Sequence, residues 1–139
     1  GIAGATTLAD LADYQLGAAI GTTSLDYIDD VIQPANDASV FNDNADAKSA
    51  FDAGQLDGLV LDLPTAYYVS AVEIEGTAVI GVLPRAGGET DELGMLFEEG
   101  SPLVECVNAG LAALKAAGTI EALEDAWLND GGSIPSISE

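Results

Sequence analysis

Apolar and polar positions along the chain alternate between strand-like runs and helical spacing. Tyr14–Ile20 (YQLGAAI) is an uncharged run of the kind that forms a short buried strand, and Gly21-Thr22-Thr23-Ser24 follows as a tight loop. Leu25, Ile28, Val31 and Ile32 then recur at helical spacing, which predicts a helix over Ser24–Ile32 that Pro34 ends. Ala38–Phe41 reads as a brief strand. Asn44 can cap a helix carrying Ala47, Ala50 and Phe51 that stops near Gly54. Leu56–Leu61 (LDGLVL) has the pattern of a strand buried on both faces. It ends at Asp62, and Pro64 opens a helix to about Tyr68. Upstream, Gly1–Thr6 reads as a loose leader. Thr7 is an N-cap for a short helix to about Ala12, with Asp10 in the capping-box position.

Farther along, Val72–Glu75 and Ala78–Leu83 are strand-like around a turn at Gly76, and Leu93–Phe97 is another short strand. From Ser101 the pattern becomes helical. Ser101-Pro102 caps a helix with Leu103, Val104, Val107, Leu111 and Leu114 on one face, ending at Gly118; Thr119 caps a second helix that reaches Trp127. Gly131–Glu139 is expected to be a frayed polar tail. Strands alternating with helices predict an α/β fold: a three-layer, mostly parallel sheet flanked by helices, followed by two C-terminal helices. Ligands bind such sheets at the carboxyl ends of strands. Gly21-Thr22-Thr23 and Asp62 stand at two of those ends.

Charge narrows the range of partners. Twenty-four acidic residues face three basic ones, Lys48, Arg85 and Lys115, with no His, for a net charge of −21. No basic stripe is available to displace counterions from nucleic-acid phosphates or to dock on anionic lipid. An acidic surface can simply solubilise, or it can reflect a high-salt setting in which screening relieves self-repulsion. The single Cys106 permits no intrachain disulfide, and its apolar helical surroundings predict a buried small hydrophobe. No apolar run approaches a membrane span, and no signal peptide is visible; export would require a signal upstream.

The loop Gly21-Thr22-Thr23-Ser24 offers backbone N–H groups at a helix start, where the dipole favours an anion, and the Thr22 and Thr23 hydroxyls add neutral donors. The same Thr-Thr-Ser cluster also serves as an ordinary N-cap that binds nothing. Asp62 at the end of an apolar strand could hold an ammonium through charge-assisted hydrogen bonds, or could cap the Pro64 helix. Together the two ends match the two charges of a zwitterion. Asn42-Asp43-Asn44-Ala45-Asp46 is oxygen-rich but lacks the turn Gly and the terminal bidentate Glu of a calcium loop, so no metal is expected there.

These residues resemble the bacterial family 3 solute-binding proteins, polar-amino-acid receptors of ABC importers with the type II periplasmic-binding fold. The resemblance spans about Thr7 to Leu128. Thr7-Leu8-Ala9-Asp10-Leu11 is similar to the Ser-Leu-Ala-Asp-Leu that opens the family's second lobe, and Ile20–Ser24 to its Gly-Thr-Thr/Ser loop. Asn44–Ala47, Ala53–Gly58 and Leu61-Asp62 resemble its run of helix, Ala-Gly-x-x-Asp-Ala, strand and Asp. Gly100–Leu103 and Leu111–Thr119 resemble its closing helices, with Trp127 at the usual terminal aromatic.

The resemblance implies a ligand-binding second lobe over 1–97 and a helical segment over 98–139 that would pack on a first lobe missing from this stretch. It implies that Gly21, Thr22 and Thr23 hold the α-carboxylate of an amino acid and Asp62 its α-ammonium. It also implies extracytoplasmic delivery, in the periplasm or as a lipoprotein, to an ABC transporter permease, without catalysis or cofactor. Many members carry a Gln shortly before the Gly; Ala19 and Ile20 stand there here, which leaves ligand specificity open. Without the first lobe, the last two helices are expected to fold back on this lobe or to exchange with a second chain as a domain-swapped homodimer. Two further readings share the fold: a cyclohexadienyl dehydratase-like enzyme, which would need a positioned general acid, and the extracellular sensory domain of a receptor kinase.

Overall fold

The computed structural model describes residues 1–85, 93–128 and 134–139. They fall into two compact units, Gly1–Gly87 with Ile134–Glu139, and Gly88–Ser133.

The first unit is an α/β layer structure built on a three-stranded parallel sheet. Helix α1 (Leu8–Leu11) leads into β1 (Leu16–Ala19), then α2 (Thr23–Tyr27), β2 (Ser39–Phe41), α3 (Asn44–Asp52), β3 (Gly58–Leu59) and α4 (Leu63–Tyr68). The strand order is β2-β1-β3, with Gly17 opposite Ser39 and Leu59. Every residue of β1 is buried, as a central strand covered on both faces requires. Leu16 and Ala18 join Leu11, Ile28 and Ile32 in the main core, while Gly17 lies where an added Cβ would meet Leu56 and Phe41. Small residues in β1 let the covering elements approach closely. At the amino ends, Gln15 ties the three strands together. Its amide side chain donates to the Asp37 carbonyl and the Ser39 hydroxyl, both at 3.0 Å, and its backbone N–H donates to the Asp57 carboxylate at 2.9 Å.

Local chemistry sets the helix starts. The Thr7 hydroxyl accepts from the Asp10 N–H, and the Asp10 carboxylate accepts from the Thr6 and Thr7 N–H groups, completing the expected capping box. These bonds hold the Asp10 carboxyl below its ordinary range, the Thr6 N–H contributing most. Helix α3 is capped by Asp43 rather than Asn44; its carboxylate accepts from the Asp46 N–H at 2.9 Å. Helices α2 and α4 each run on into a single π-helical turn, Ile28–Ile32 and Val69–Glu73.

Several sequence expectations are corrected. The expected strand Leu56–Leu61 shrinks to Gly58–Leu59, whose residues are half-buried, because the ladder with β1 extends only over Leu16 and Gly17. Val72 and Glu73 belong to the π turn after α4, not to a strand. Within 78–83 the strand-like pairing is reduced to Val82, which bridges to Ser136. The described part of the expected frayed tail, Ile134–Glu139, returns to the fold: Ile137 N–H donates to the Val82 carbonyl, and Ser138 pairs with Thr7. Ile137 is 3% exposed and seats against Gly81, where an added Cβ would lie 2.7 Å from it. Gly131–Ser133 lie outside the described residues. The leader is also packed, with a 3-10 turn at Ile2–Gly4 and Ala5 buried.

The second unit is helical. Helix α5 (Leu103–Ala116) turns at Gly118, whose φ of +70° suits glycine, into α6 (Thr119–Trp127). Gly118, rather than Thr119, occupies the cap position. The two helices pack on each other, yet neither contains a buried residue. Cys106 is exposed, against the expectation of burial, because a two-helix pair has too little thickness to enclose both faces. Leu93–Phe97 forms no strand, and Leu93, Met95 and Leu96 are exposed without a sheet to join.

Two outcomes follow from these contacts. Ile137→Ala should destabilise the first unit by about 2–5 kcal/mol in urea unfolding, as a buried aliphatic truncation does, whereas a frayed tail would leave stability unchanged. Carbon-detected NMR titration should place the Asp10 carboxyl below the ordinary Asp range. Since its folded value is lowered, the stability it lends is present at neutral pH and fades as pH falls through that lowered value; an ordinary Asp titration would contradict the capping box.

Candidate functional site

The strand order decides where a site can form. From β1 the chain crosses to β2, then crosses back past β1 to β3, so the connections diverge from the gap between β1 and β3. With crossovers of one hand, α2 and α3 cover opposite faces of β1, and both contact it. The carboxyl end of such a divergence is a topological switch point, the crevice where open α/β sheets receive ligands.

Both candidate segments leave the sheet at this end. Ile20 N–H still donates to the Phe41 carbonyl at 2.8 Å, and the chain then turns at Gly21, whose φ of +72° is a left-handed conformation that favours glycine. Thr22 caps α2: its hydroxyl accepts from the Leu25 N–H at 3.2 Å and donates to the Ala19 carbonyl at 2.7 Å. That second bond occupies the hydroxyl proton, so Thr22 is not the neutral donor expected from sequence; it holds the loop in shape. The exposed Thr23 starts the helix. The N–H groups of Gly21, Thr23 and Ser24 have no hydrogen-bond partner among the described residues.

Asp62 follows β3. Its Oδ1 accepts from the Thr65 N–H at 3.0 Å, so it does cap α4, and Pro64 sits in the first turn as expected. The residue is exposed and makes no ion pair among the described residues. Capping engages Oδ1 and leaves Oδ2 without a hydrogen bond among the described residues. The register pairs Leu16 with Gly58 and Gly17 with Leu59, and the Val60 N–H still donates to the Gly17 carbonyl at 3.1 Å before the chain leaves toward Asp62. The two candidate segments therefore lie at the same end of neighbouring parallel strands.

Sequence reading missed Ile20, assigned to the buried strand. It is 64% exposed, an aliphatic residue directly before the amide-rich loop. The signal was available: it directly precedes a loop glycine, where the strand ends and cover ends with it. Chemically, the arrangement offers helix-start amides for a negative group and a carboxylate for a positive one. It offers no imidazole, since the chain contains no His. The oxygen-rich segment at Asn42–Asp46 uses the Asp43 carboxylate as the α3 cap. A separate open depression of about 310 Å³ is lined by Gly4, Asp10, Asp13 and Tyr14 among others, all of which precede β1 in the chain.

Comparison of the chain with protein-family models, with curated proteins and with solved structures gives no match.

Capping and charge at position 62 can be separated. Asp62→Ala should cost about 1 kcal/mol of stability by loss of the cap, whereas Asp62→Asn, an equally good cap residue, should stay within a few tenths of the parent in urea unfolding. Equal losses in both variants would show that the charge, not the cap, stabilises the fold.

Proposed function

We propose that this chain is the ligand-gripping lobe of a small-solute receptor, of the solute-binding type that delivers amino acids to an ABC importer. The observation that carries the reading is the placement of the Gly21–Thr23 loop and Asp62 at the carboxyl ends of β1 and β3, on either side of the switch point. A zwitterion needs a group of donors and a lone carboxylate a few ångströms apart, both able to shed water. In this reading the α-carboxylate takes the amides of Gly21, Thr23 and Ser24, supported by the dipole at the start of α2. The α-ammonium takes Asp62. Thr22 positions the loop through its bonds to Ala19 and Leu25.

The finer assignment, to the second lobe of the type II periplasmic-binding fold, rests on the sequence resemblance together with the 2-1-3 parallel order. It assigns the exposed apolar positions of α5 and α6, including Leu103, Leu123 and Trp127, to contact with a first lobe. It makes the receptor extracytoplasmic and its partner a permease. Ligand would favour the closed arrangement of the two lobes through its differential affinity for it.

Calorimetry with L-amino acids and their single-charge analogues tests the reading. The intact zwitterion should bind, with an affinity at least about tenfold below that of a two-lobed receptor, since half the contacts are present. Removing either the amine or the carboxylate from the ligand should weaken binding, as should Asp62→Asn, by about tenfold or more. Binding unaffected by Asp62→Asn, or tight binding by the chain alone, would overturn the assignment.

A further inference from the structure

The surface of this chain repels itself, and the fold holds little in reserve against that repulsion. Three basic side chains can pair with at most a few of 24 carboxylates. Among the described residues the one salt bridge joins Lys48 to Glu73 at 3.2 Å, and no polar or charged residue is buried. The carboxylates of the described residues are therefore arrayed on the outside. Asp26, Asp29 and Asp30 are exposed along one continuous helical stretch, spaced three and four residues apart, where like charges oppose one another. Asp52 is the last residue of α3, at the helix end whose dipole favours a cation. Opposing this is a slight core: among the described residues, five of the twelve buried apolar residues are alanines, and Ile28 is the one large side chain fully enclosed.

We propose that the fold is conditional on ionic strength, its stability set by the screening of these carboxylates by dissolved monovalent salt. Unfolding spreads the same charges apart, so repulsion penalises the compact state selectively. At about 0.1 M salt the screening length is about 10 Å, longer than the roughly 5.4 Å rise of a helical turn, and neighbouring carboxylates oppose one another across it. At about 1 M it falls to about 3 Å, and each carboxylate is shielded from the next. The partner is thus the ion atmosphere, selected by charge density and not by a bound-ion site. The mechanism is independent of the ligand reading above.

Thermal unfolding in sodium chloride and in potassium chloride tests this. The midpoint should rise by roughly 10 °C between about 0.1 and 1 M and flatten beyond, equally for both cations. The triple variant Asp26→Asn, Asp29→Asn, Asp30→Asn should melt higher than the parent in low salt and respond less to added salt. Should that variant not fold, Asp52→Lys, at the end of α3, carries the same expectation. A midpoint that is flat or falls with salt overturns the proposal. So does a rise of equal slope in parent and variants, which would mark general salting-out of apolar surface.

Discussion

The fold of the first unit depends on β1 being buried on both faces. A four-residue strand of sequence Leu-Gly-Ala-Ala can serve as the centre of a parallel sheet because it carries no charge and almost no bulk. Leu16 and Ala18 face the core that holds Ile28 and Ile32, and the missing side chain of Gly17 admits Leu56 and Phe41. Parallel neighbours on either side then fix the register, and Gln15 and Asp57 lock it at the amino ends. With so short a sheet, burial of this one strand carries much of the structure. The returning chain end, with Ile137 against Gly81, closes part of the core that the helices leave open.

The site is a consequence of that arrangement. A central β1 with β2 on one side and β3 on the other makes the connections part at their carboxyl ends, and the two segments that leave there are a glycine turn feeding a helix start and a capped aspartate. Both perform local structural duties. Thr22 caps α2 and Asp62 caps α4. Capping and ligand capture are compatible here because each leaves its charge-bearing group only partly engaged: the first amides of α2 remain without partners among the described residues, and the Asp62 carboxylate satisfies one N–H through a single oxygen.

Much of this was legible in the sequence where the signal is local. The Thr7–Asp10 capping box, the Pro64 helix start and the glycine turns at Gly21 and Gly118 depend on residues a few positions apart, and the structure has them. Both candidate segments could be placed at strand ends from hydrophobic pattern alone. The readings that failed depend on distant partners. Ala78–Leu83 has strand composition, but only Val82 finds a partner, and that partner is Ser136 at the far end of the chain. The polar appearance of Ile134–Glu139 hid the alternation that buries Ile137. Cys106 looked enclosed because an apolar helix face implies a partner; in the α5–α6 pair it has none covering it. Thr22 illustrates the same limit on a smaller scale, since its hydroxyl proton is taken by the Ala19 carbonyl, a contact that depends on how the turn closes.

The central claim is that the two strand-end segments act on one ligand. Nitrogen-15 NMR of the chain titrated with an unlabelled amino acid tests it most directly. On this account the amide signals of Gly21, Thr23 and Ser24 move together with those of Asp62 and Thr65, along a single saturation curve. Movement at one segment alone, or different saturation at the two, would contradict a shared site.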